Sequence, residues 1–272
     1  MSGVSNYPPE TDLKRLAHLK ALGFTPRRFF DVGASNGAWS ARVSREFPEA
    51  SFDLFEPLVD HGVGYQERME ATLSQHPLFR LHRVALGAEC RKTQMYLPPD
   101  PVGSTALELG AYAPKEWKCI QVEMLTIDYM VHEFHNSAPD VIKIDTQGCE
   151  LSVLQGARQT LPQVQVLVLE CWLTRSYGHQ TPLLTEIAAW LREYDFFLWD
   201  LGDCWRDEDG TLCSQDCLFL NARCPVSRLA NEPRRFPPPA PEPVNRPEPW
   251  RHRVRHLLRR PAVYPSPSRL WA

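Results

Sequence analysis

Acidic side chains stand where four apolar, strand-like runs end. The runs FFD, FDLFE, VIKID and VLVLE close with Asp31, Glu56, Asp145 and Glu170. A buried strand rarely ends in a charge unless that charge meets water or a ligand. A carboxylate in such a position can accept hydrogen bonds from hydroxyl groups, or take a proton from a reacting group.

The first of these acids precedes a glycine turn, in the stretch FFDVGASNGAWS. Gly33 and Gly37 would let the backbone turn tightly and approach a ligand without a clash at Cβ. The spacing is G-x-x-x-G, which differs from the G-x-G-x-x-G of dinucleotide sites, and no Gly-Lys-Ser/Thr follows as in a P-loop. On these residues alone, a strand–turn–helix connection without a ligand remains an alternative.

The second acid, Glu56, favours a ligand at the glycine turn. Glu56 follows Asp31 by 25 positions and ends the next strand-like run. An acidic residue about 20 positions after a glycine turn accepts hydrogen bonds from the ribose hydroxyls in nucleotide-binding folds. The glycine turn and Glu56 together therefore favour a ligand of nucleoside type, with a solvated loop glutamate as the alternative for Glu56.

The third acid opens the stretch DTQGCE. Gly148 would allow a sharp turn, and Glu150 would lie in the first turn of the following helix, where a negative charge favours the helix dipole. In an open α/β sheet, ligands bind outside the carboxyl ends of the strands. We therefore expect Asp145 at a ligand crevice, although a role as helix N-cap is an alternative that can coexist with it.

Strand-like and helix-like segments alternate along most of the chain, which predicts a parallel sheet with helices on both faces. The 272 residues suffice for one large domain or two small ones. From about residue 225 proline and arginine dominate. We therefore predict a folded domain over residues 1–224 and a Pro/Arg-rich, disordered tail over residues 225–272.

With these residues in hand, the sequence resembles the FkbM family of S-adenosylmethionine-dependent methyltransferases. The resemblance covers roughly residues 20–222, and its most specific part is KIDTQGCE. The matching stretches are TPRRFFDVGASNGAWS, FDLFEP, VALG, TIDYM, VIKIDTQGCELSVLQGA, VLVLE and WRDEDGTLCSQDCLFLN. Cys149 departs from the small apolar residue expected at its position.

The resemblance implies a Rossmann-like, seven-stranded sheet with an antiparallel last strand, and S-adenosyl-L-methionine as cofactor. It places Glu56 at the ribose, Ala85 near the adenine and Asp145 at the methyl-transfer region. The residues that it places around the methionine part of the cofactor are Asp31, Gly33, Ala34, Asn36 and Gly37. The acceptor that it implies is a hydroxyl group on a sugar or a small-molecule natural product.

Such a transfer needs the acceptor held in line with the departing sulfur, and a general base for a hydroxyl acceptor. The candidate bases are Asp145, Glu170 and His179. Capping or a salt bridge is an alternative role for Glu170, and solvent exposure is the alternative for His179. We expect no metal, although a metal held by Asp145 and Glu170 remains an alternative. Ser104 and Thr105 are candidates for substrate contacts, and a simple polar turn is equally compatible with them.

The cysteines do not predict a metal or disulfide framework. Cys204, Cys213, Cys217 and Cys224 lack the C-x₂-C pairs of zinc sites. Eight scattered cysteines fit reduced thiols in the cytoplasm. No apolar run is long enough to span a membrane, and we find no signal peptide.

Charge distribution supplies the alternative function. Residues 231–272 contain nine Arg and three Glu, whereas the rest of the chain has a net charge of −9. The basic tail could make the protein a binding module for nucleic acid or an anionic membrane. The acidic body argues against nucleic acid as the main partner. A nicotinamide-dependent oxidoreductase would need the missing G-x-G-x-x-G.

Overall fold

The computed structural model describes residues 11–61, 65–99, 101–109, 113–135 and 137–230. Ten strands lie within these ranges and form one sheet of seven strands and one of three. Their bounds are β1 (Arg28–Val32), β2 (Ser51–Phe55), β3 (Phe79–His82), β4 (Ala85–Leu86), β5 (Arg91–Leu97), β6 (Lys118–Leu125), β7 (Val141–Ile144), β8 (Val166–Trp172), β9 (Phe196–Arg206) and β10 (Leu212–Asn221).

The large sheet has the strand order β3-β2-β1-β7-β8-β10-β9. All neighbouring strands from β3 to β8 run parallel. Strand β10 runs antiparallel to both β8 and β9, so it is the reversed strand of the sheet. The predicted Rossmann-like sheet of seven strands with an antiparallel last strand is therefore confirmed.

Helices α1 to α7 connect and cover the strands. They span Thr11–Ala21, Ala38–Glu46, Tyr65–Gln75, Ile127–Met130, Glu150–Gln155, Leu184–Leu191 and Ser227–Ala230. Alternate residues of the central strands enter two apolar clusters, one on each face of the sheet. On β1, for example, Phe30 enters one cluster and Phe29 the other. Two-sided burial explains why these strands read as continuous apolar runs.

The small sheet, with the order β4-β6-β5, interrupts the alternation of strands and helices. The sequence predicted one strand over LFRLHRVAL, but the chain leaves the large sheet after His82 and joins the small sheet at Ala85. Beyond β5, Thr105 forms an isolated antiparallel bridge with Tyr96. The small sheet and this bridge place the segment 101–106 beside the carboxyl edge of the large sheet.

The expected tail begins inside the described ranges. Val226 is buried in the core, and helix α7 covers Ser227–Ala230. The remaining residues of the expected tail, 231–272, lie outside the described residues. Across the ranges that the structure describes, no helix combines the length and the apolar character needed to span a membrane.

Candidate functional site

The glycine turn after β1 lies between the ends of two other strands. The backbone N–H groups of Gly33 and Ala34 donate to the carbonyl oxygen of Phe55, at 3.0 and 3.2 Å. Gly33 has a φ of +73°, and a Cβ there would lie 1.9 Å from the carbonyl oxygen of Asp145. Glycine is therefore required at this position both for its backbone conformation and for the close approach of the 145 turn.

Gly37 has a different environment. Its φ is +76°, and a Cβ there would lie 3.1 Å from Leu54 and 3.0 Å from Thr72. This glycine is the N-cap residue of α2 and lets that helix begin close to α3, and the side chain of Asn36 accepts from the N–H of Ala38 at 3.1 Å. Gly37 thus shapes the helix start and lines neither of the two cavities described below.

Glu56 is buried at the carboxyl end of β2. Its Oε2 accepts from the N–H of Ser35 at 2.8 Å, and its Oε1 accepts from the N–H of Leu58 at 2.9 Å. Burial raises the pKa of Glu56 to about 7, although these backbone bonds act in the opposite direction. The carboxyl group is therefore held in place, and it titrates near neutral pH.

A first cavity opens between the glycine turn, Glu56, strand β4 and the segment 101–106. Its apolar wall includes Phe55, Leu58, Ala85, Leu86 and Met95. Four of the predicted cofactor residues line this cavity: Gly33, Glu56, Ala85 and Asp145.

The turn that follows β7 is fixed by a buried carboxyl group. Glu150 accepts hydrogen bonds from the N–H groups of Thr146 and Gly148, at 3.0 and 3.1 Å. Burial raises the pKa of Glu150 to about 7. Gly148 has a φ of +98°, and a Cβ there would lie 2.6 Å from Cδ1 of Leu107. The sequence placed Glu150 in a helical first turn, and the structure adds that its side chain folds back to hold the turn.

Lys143 joins this turn to the glycine turn from within β7. Its ammonium group donates to the carbonyl oxygen of Gly33 at 2.9 Å. It also lies 3.3 Å from Oδ1 of Asp31 and 3.4 Å from Oδ2 of Asp145. Burial by itself would lower the pKa of Lys143, but the two carboxylates raise it. The Lys143 ammonium group therefore contacts the Gly33 backbone and the carboxyl groups of Asp31 and Asp145 at the same time.

Gln147 connects two of the acidic side chains. Its Nε2 donates to Oδ1 of Asp145 at 2.8 Å and to Oε2 of Glu170 at 2.7 Å. Its Oε1 accepts from the hydroxyl of Tyr177 at 2.8 Å. The residue has a φ of +54°, a left-handed conformation that is uncommon outside glycine. These three bonds fix the orientation of the Gln147 amide and hold both carboxyl groups.

A second cavity lies on the other side of the glycine turn, between strands β7 to β10 and helices α1 and α2. It shares Gly33, Ser35 and Asp145 with the first cavity. Its lining is rich in carboxyl groups: Asp12, Asp145, Glu170, Asp203 and Asp216. The side chains of Arg42 and Lys143 supply positive charge beside them.

Two carboxyl groups of the second cavity, those of Asp216 and Glu170, have raised pKa values. Burial, and then the negative charge of Asp145, raise the pKa of Asp216 to about 8. The same two causes raise the pKa of Glu170 well above its usual value. Glu170 accepts a hydrogen bond from the hydroxyl of Ser214 at 2.9 Å. It is thus a positioned carboxyl group and a stronger base than an exposed glutamate.

The other predicted site residues fall into three groups. Ala34 and Asn36 line the second cavity. Asp31 is completely buried, accepts from the Ser40 hydroxyl at 2.7 Å, and lines neither cavity. His179 is exposed on the 173–183 loop and lines neither cavity, and its carbonyl oxygen accepts from Arg175 at 3.3 Å.

The two candidates for substrate contacts, Ser104 and Thr105, have different environments. Ser104 lines the first cavity, whereas Thr105 is completely buried, is absent from the lining, and accepts from the N–H of Leu107 at 3.1 Å. Within the described ranges, no group of three or more His, Cys, Asp or Glu side chains is arranged to hold a metal ion.

Sequence reasoning missed several residues of the site. Ser35 and Tyr65 line the first cavity, and their hydroxyls lie 2.7 Å apart. Lys143 had a visible signal, because it is the charged residue inside the apolar run VIKI. Gln147 had a weaker signal, its place between Asp145 and a glycine. Tyr177 had none, since it arrives from a loop distant in sequence.

Comparison with known proteins gives a family match. A family model described as a methyltransferase FkbM domain matches residues 31–198. Among curated proteins no match was found. A solved structure of a methyltransferase FkbM from Methylobacillus flagellatus shares 17% identity with a TM-score of 0.45. The alignment covers 71% of this chain but only 43% of that protein.

Other solved structures give similar figures. The O-methyltransferase TomG from Streptomyces achromogenes, solved in complex with SAM, shares 12% identity with a TM-score of 0.43, over 76% of this chain and 78% of that one. A protein described as an O-methyltransferase from Klebsiella pneumoniae shares 10% identity with a TM-score of 0.45, over 81% of this chain and 84% of that one.

Proposed function

Because the chain belongs to the FkbM methyltransferase family, we propose that it transfers a methyl group from S-adenosyl-L-methionine to a hydroxyl group of a sugar or small-molecule natural product. The observation that carries this proposal is the first cavity, where segments distant in sequence converge. The predicted cofactor residues in its lining are Gly33, Glu56, Ala85 and Asp145.

The donor set of the first cavity fits an adenosyl cofactor. Each carboxylate oxygen of Glu56 accepts one backbone N–H, and its remaining lone pair can accept a hydrogen bond from a ribose hydroxyl. Ala85, Leu86 and Met95 offer an apolar wall for a flat base. When bound, the cofactor would supply a methyl group on a positively charged sulfur.

The second cavity is the proposed site of the acceptor. It meets the first cavity at Asp145, so a group held there lies next to whatever the first cavity holds. In this arrangement Glu170 accepts the proton of the acceptor hydroxyl. Its raised pKa makes it a stronger base than an ordinary glutamate. Gln147 holds Glu170 and Asp145 in fixed relation, and Asp145 is the second candidate base.

His179 stands apart from this chemistry, because it is exposed and lines neither cavity. We further propose that the methyltransferase domain is followed by a Pro/Arg-rich tail. We also propose the cytoplasm as the compartment, since all eight cysteines are free thiols and most are buried.

Calorimetric titration of the full chain with S-adenosylhomocysteine tests the cofactor. We expect saturable binding that weakens at least about tenfold in Glu56→Ala, because hydrogen bonds to a charged group contribute about 1.5–3 kcal/mol. Glu67→Ala, an exposed acid on α3, serves as the control and should bind like the wild type. Absent binding, or binding that Glu56→Ala does not weaken, would contradict the proposal.

The acceptor class has its own experiment. Cell extract is incubated with the protein and cofactor carrying a labelled methyl group, and labelled products are identified by mass spectrometry. The proposal expects label as a methyl ether on a sugar or small molecule. Label on nitrogen or carbon would contradict the hydroxyl acceptor, and label on protein or nucleic acid would contradict the small-molecule acceptor. Either result would leave cofactor binding intact.

The alternative function, a binding module that acts through the basic tail, depends on residues outside the described ranges. Deletion of residues 231–272 separates the two functions. We expect the truncated chain to bind S-adenosylhomocysteine like the full chain, because both cavities are lined by residues before 217. Loss of the main activity with intact cofactor binding would favour the binding module.

A further inference from the structure

The side chain of Ser104 carries a buried hydroxyl without a hydrogen-bond partner. The residue is 5% exposed, and its Oγ has no hydrogen-bond partner among the described residues. Buried polar side-chain atoms are nearly always paired, so an unpaired one requires an explanation. Ser104 lines the first cavity, which makes a ligand of that cavity the missing partner.

Hydrogen bonds of the backbone fix the position of Ser104 in the chain. The N–H of Ser104 donates to the carbonyl oxygen of Pro101 at 3.1 Å. The next residue, Thr105, exchanges two backbone hydrogen bonds with Tyr96, at 2.9 and 3.1 Å. The hydroxyl of Tyr177 lies 3.2 Å from the carbonyl oxygen of Gly103. Three separate contacts therefore hold Ser104 at the cavity wall.

The neighbours of Ser104 in the cavity wall are apolar. Ala85, Met95 and Ala106 pack together in one hydrophobic cluster, and all three line the first cavity with Ser104. Glu56, the residue proposed for the ribose, comes from the end of a different strand, in the large sheet. A flat heteroaromatic ring fits such an apolar wall, but its polar edge then needs a hydrogen-bonding group.

We infer that the Ser104 hydroxyl hydrogen-bonds the polar edge of the cofactor's adenine and so contributes to the selection of the nucleobase. This inference rests on the proposed function, because it takes the first cavity as the cofactor site. A serine hydroxyl can both donate and accept, so it can pair with a ring nitrogen or with the exocyclic amino group.

The test compares the wild type with Ser104→Ala against three probes, each measured by direct titration or by competition. The probes are S-adenosylhomocysteine, adenosine and 2′,3′-dideoxyadenosine. They share the adenine and differ in the amino-acid part and in the ribose hydroxyls. We expect Ser104→Ala to weaken all three by the same factor, about fivefold to tenfold, as for one hydrogen bond.

Stability of the free protein gives an independent readout. Removing an unpaired hydroxyl should leave the unfolding midpoint of the ligand-free protein unchanged or higher. Ser40→Ala is the matched control, because Ser40 is also buried but donates to Asp31 at 2.7 Å. We expect Ser40→Ala to lower the midpoint. A comparable fall in Ser104→Ala would show a structural role and overturn the inference.

The pattern across the probes decides the remaining outcomes. A loss confined to S-adenosylhomocysteine would assign Ser104 to the amino-acid part. A loss that vanishes with the dideoxy probe would assign it to the ribose. Unchanged binding of all three would assign it to the acceptor or to no ligand. Each of these overturns the inference, whereas wild-type protein that binds none of the probes overturns the proposed function itself.

Discussion

The ammonium group of Lys143 lies 3.4 Å from the carboxylate of Asp145, two residues further along the chain. Residues two apart on a strand point to the same face, so both side chains meet at the carboxyl edge of the sheet. Asp31, from the adjacent strand, lies 3.3 Å from the same ammonium group and is completely buried. The positive charge of Lys143 thus balances a carboxyl group that has little other compensation.

Replacement of Lys143 by methionine should therefore destabilise the fold. Removal of one partner of a buried ion pair costs about 3–5 kcal/mol, because the other charge is left uncompensated. Chemical unfolding of Lys143→Met against the wild type measures this loss. Lys14→Met, at an exposed position of α1, is the control and should change the free energy of unfolding by less than about 0.5 kcal/mol. Equal stabilities of the two variants would exclude the balancing role of Lys143.

Gly33→Ala tests the close approach of the two turns. The new Cβ would lie 1.9 Å from the backbone oxygen of Asp145, so the chain must shift. Gly178→Ala is a matched control, because its φ is +95° but nothing lies within 4 Å of the added Cβ. We expect the control to lose about 1–2 kcal/mol from its backbone conformation alone. Gly33→Ala should lose clearly more, or fail to fold, and a loss no larger than that of the control would refute the steric argument.

The sequence allowed prediction of the sheet because its signals are local. Buried parallel strands read as apolar runs, and the acids at their ends marked Glu56, Asp145 and Glu170. Parallel strands bring their carboxyl ends to one edge, so shared placement of these acids follows from the fold class. The turn at Gly33 could also be predicted, because its signal, a glycine directly after an apolar run, is local.

The features that could not be predicted from the sequence depend on contacts between distant segments. Tyr177 reaches Gln147 from a loop 30 residues away, and no pattern in either segment signals the pair. Asp31, which the family resemblance places beside the cofactor, is buried against Lys143 and Ser40, and no sequence pattern signals these two contacts. The prediction of the third strand included too many residues, because Ala85 pairs with Met124 in the small sheet and not with a strand of the large sheet.

The raised pKa of Glu56 predicts pH-dependent binding of a nucleoside. Burial raises this pKa to about 7, so the carboxyl group is largely neutral at pH 6 and ionised at pH 8. The ionised group is the better acceptor for ribose hydroxyls. Affinity for adenosine should therefore rise about tenfold from pH 6 to pH 8, by linkage of binding to one ionisation.

Adenosine is the suitable probe for this measurement because its own charge does not change over that range. Titration calorimetry at several pH values gives the profile. Glu56→Gln removes the ionisable group, so its affinity should be lower and independent of pH. A flat profile in the wild type would show that Glu56 does not bind the ribose as a carboxylate.

Glu170→Gln separates proton transfer from binding. In the wild type, burial and the charge of Asp145 raise the Glu170 pKa well above 4.5, so activity should appear only as pH rises through that higher value. The glutamine keeps the shape but cannot take the acceptor's proton, and loss of a general base lowers kcat about 10²–10⁴-fold. We expect this fall with an acceptor from the labelling screen, and unchanged affinity for S-adenosylhomocysteine. His179→Asn, at an exposed position outside both cavities, should retain wild-type kcat. If instead His179→Asn loses activity and Glu170→Gln keeps it, the general base is His179 and not Glu170.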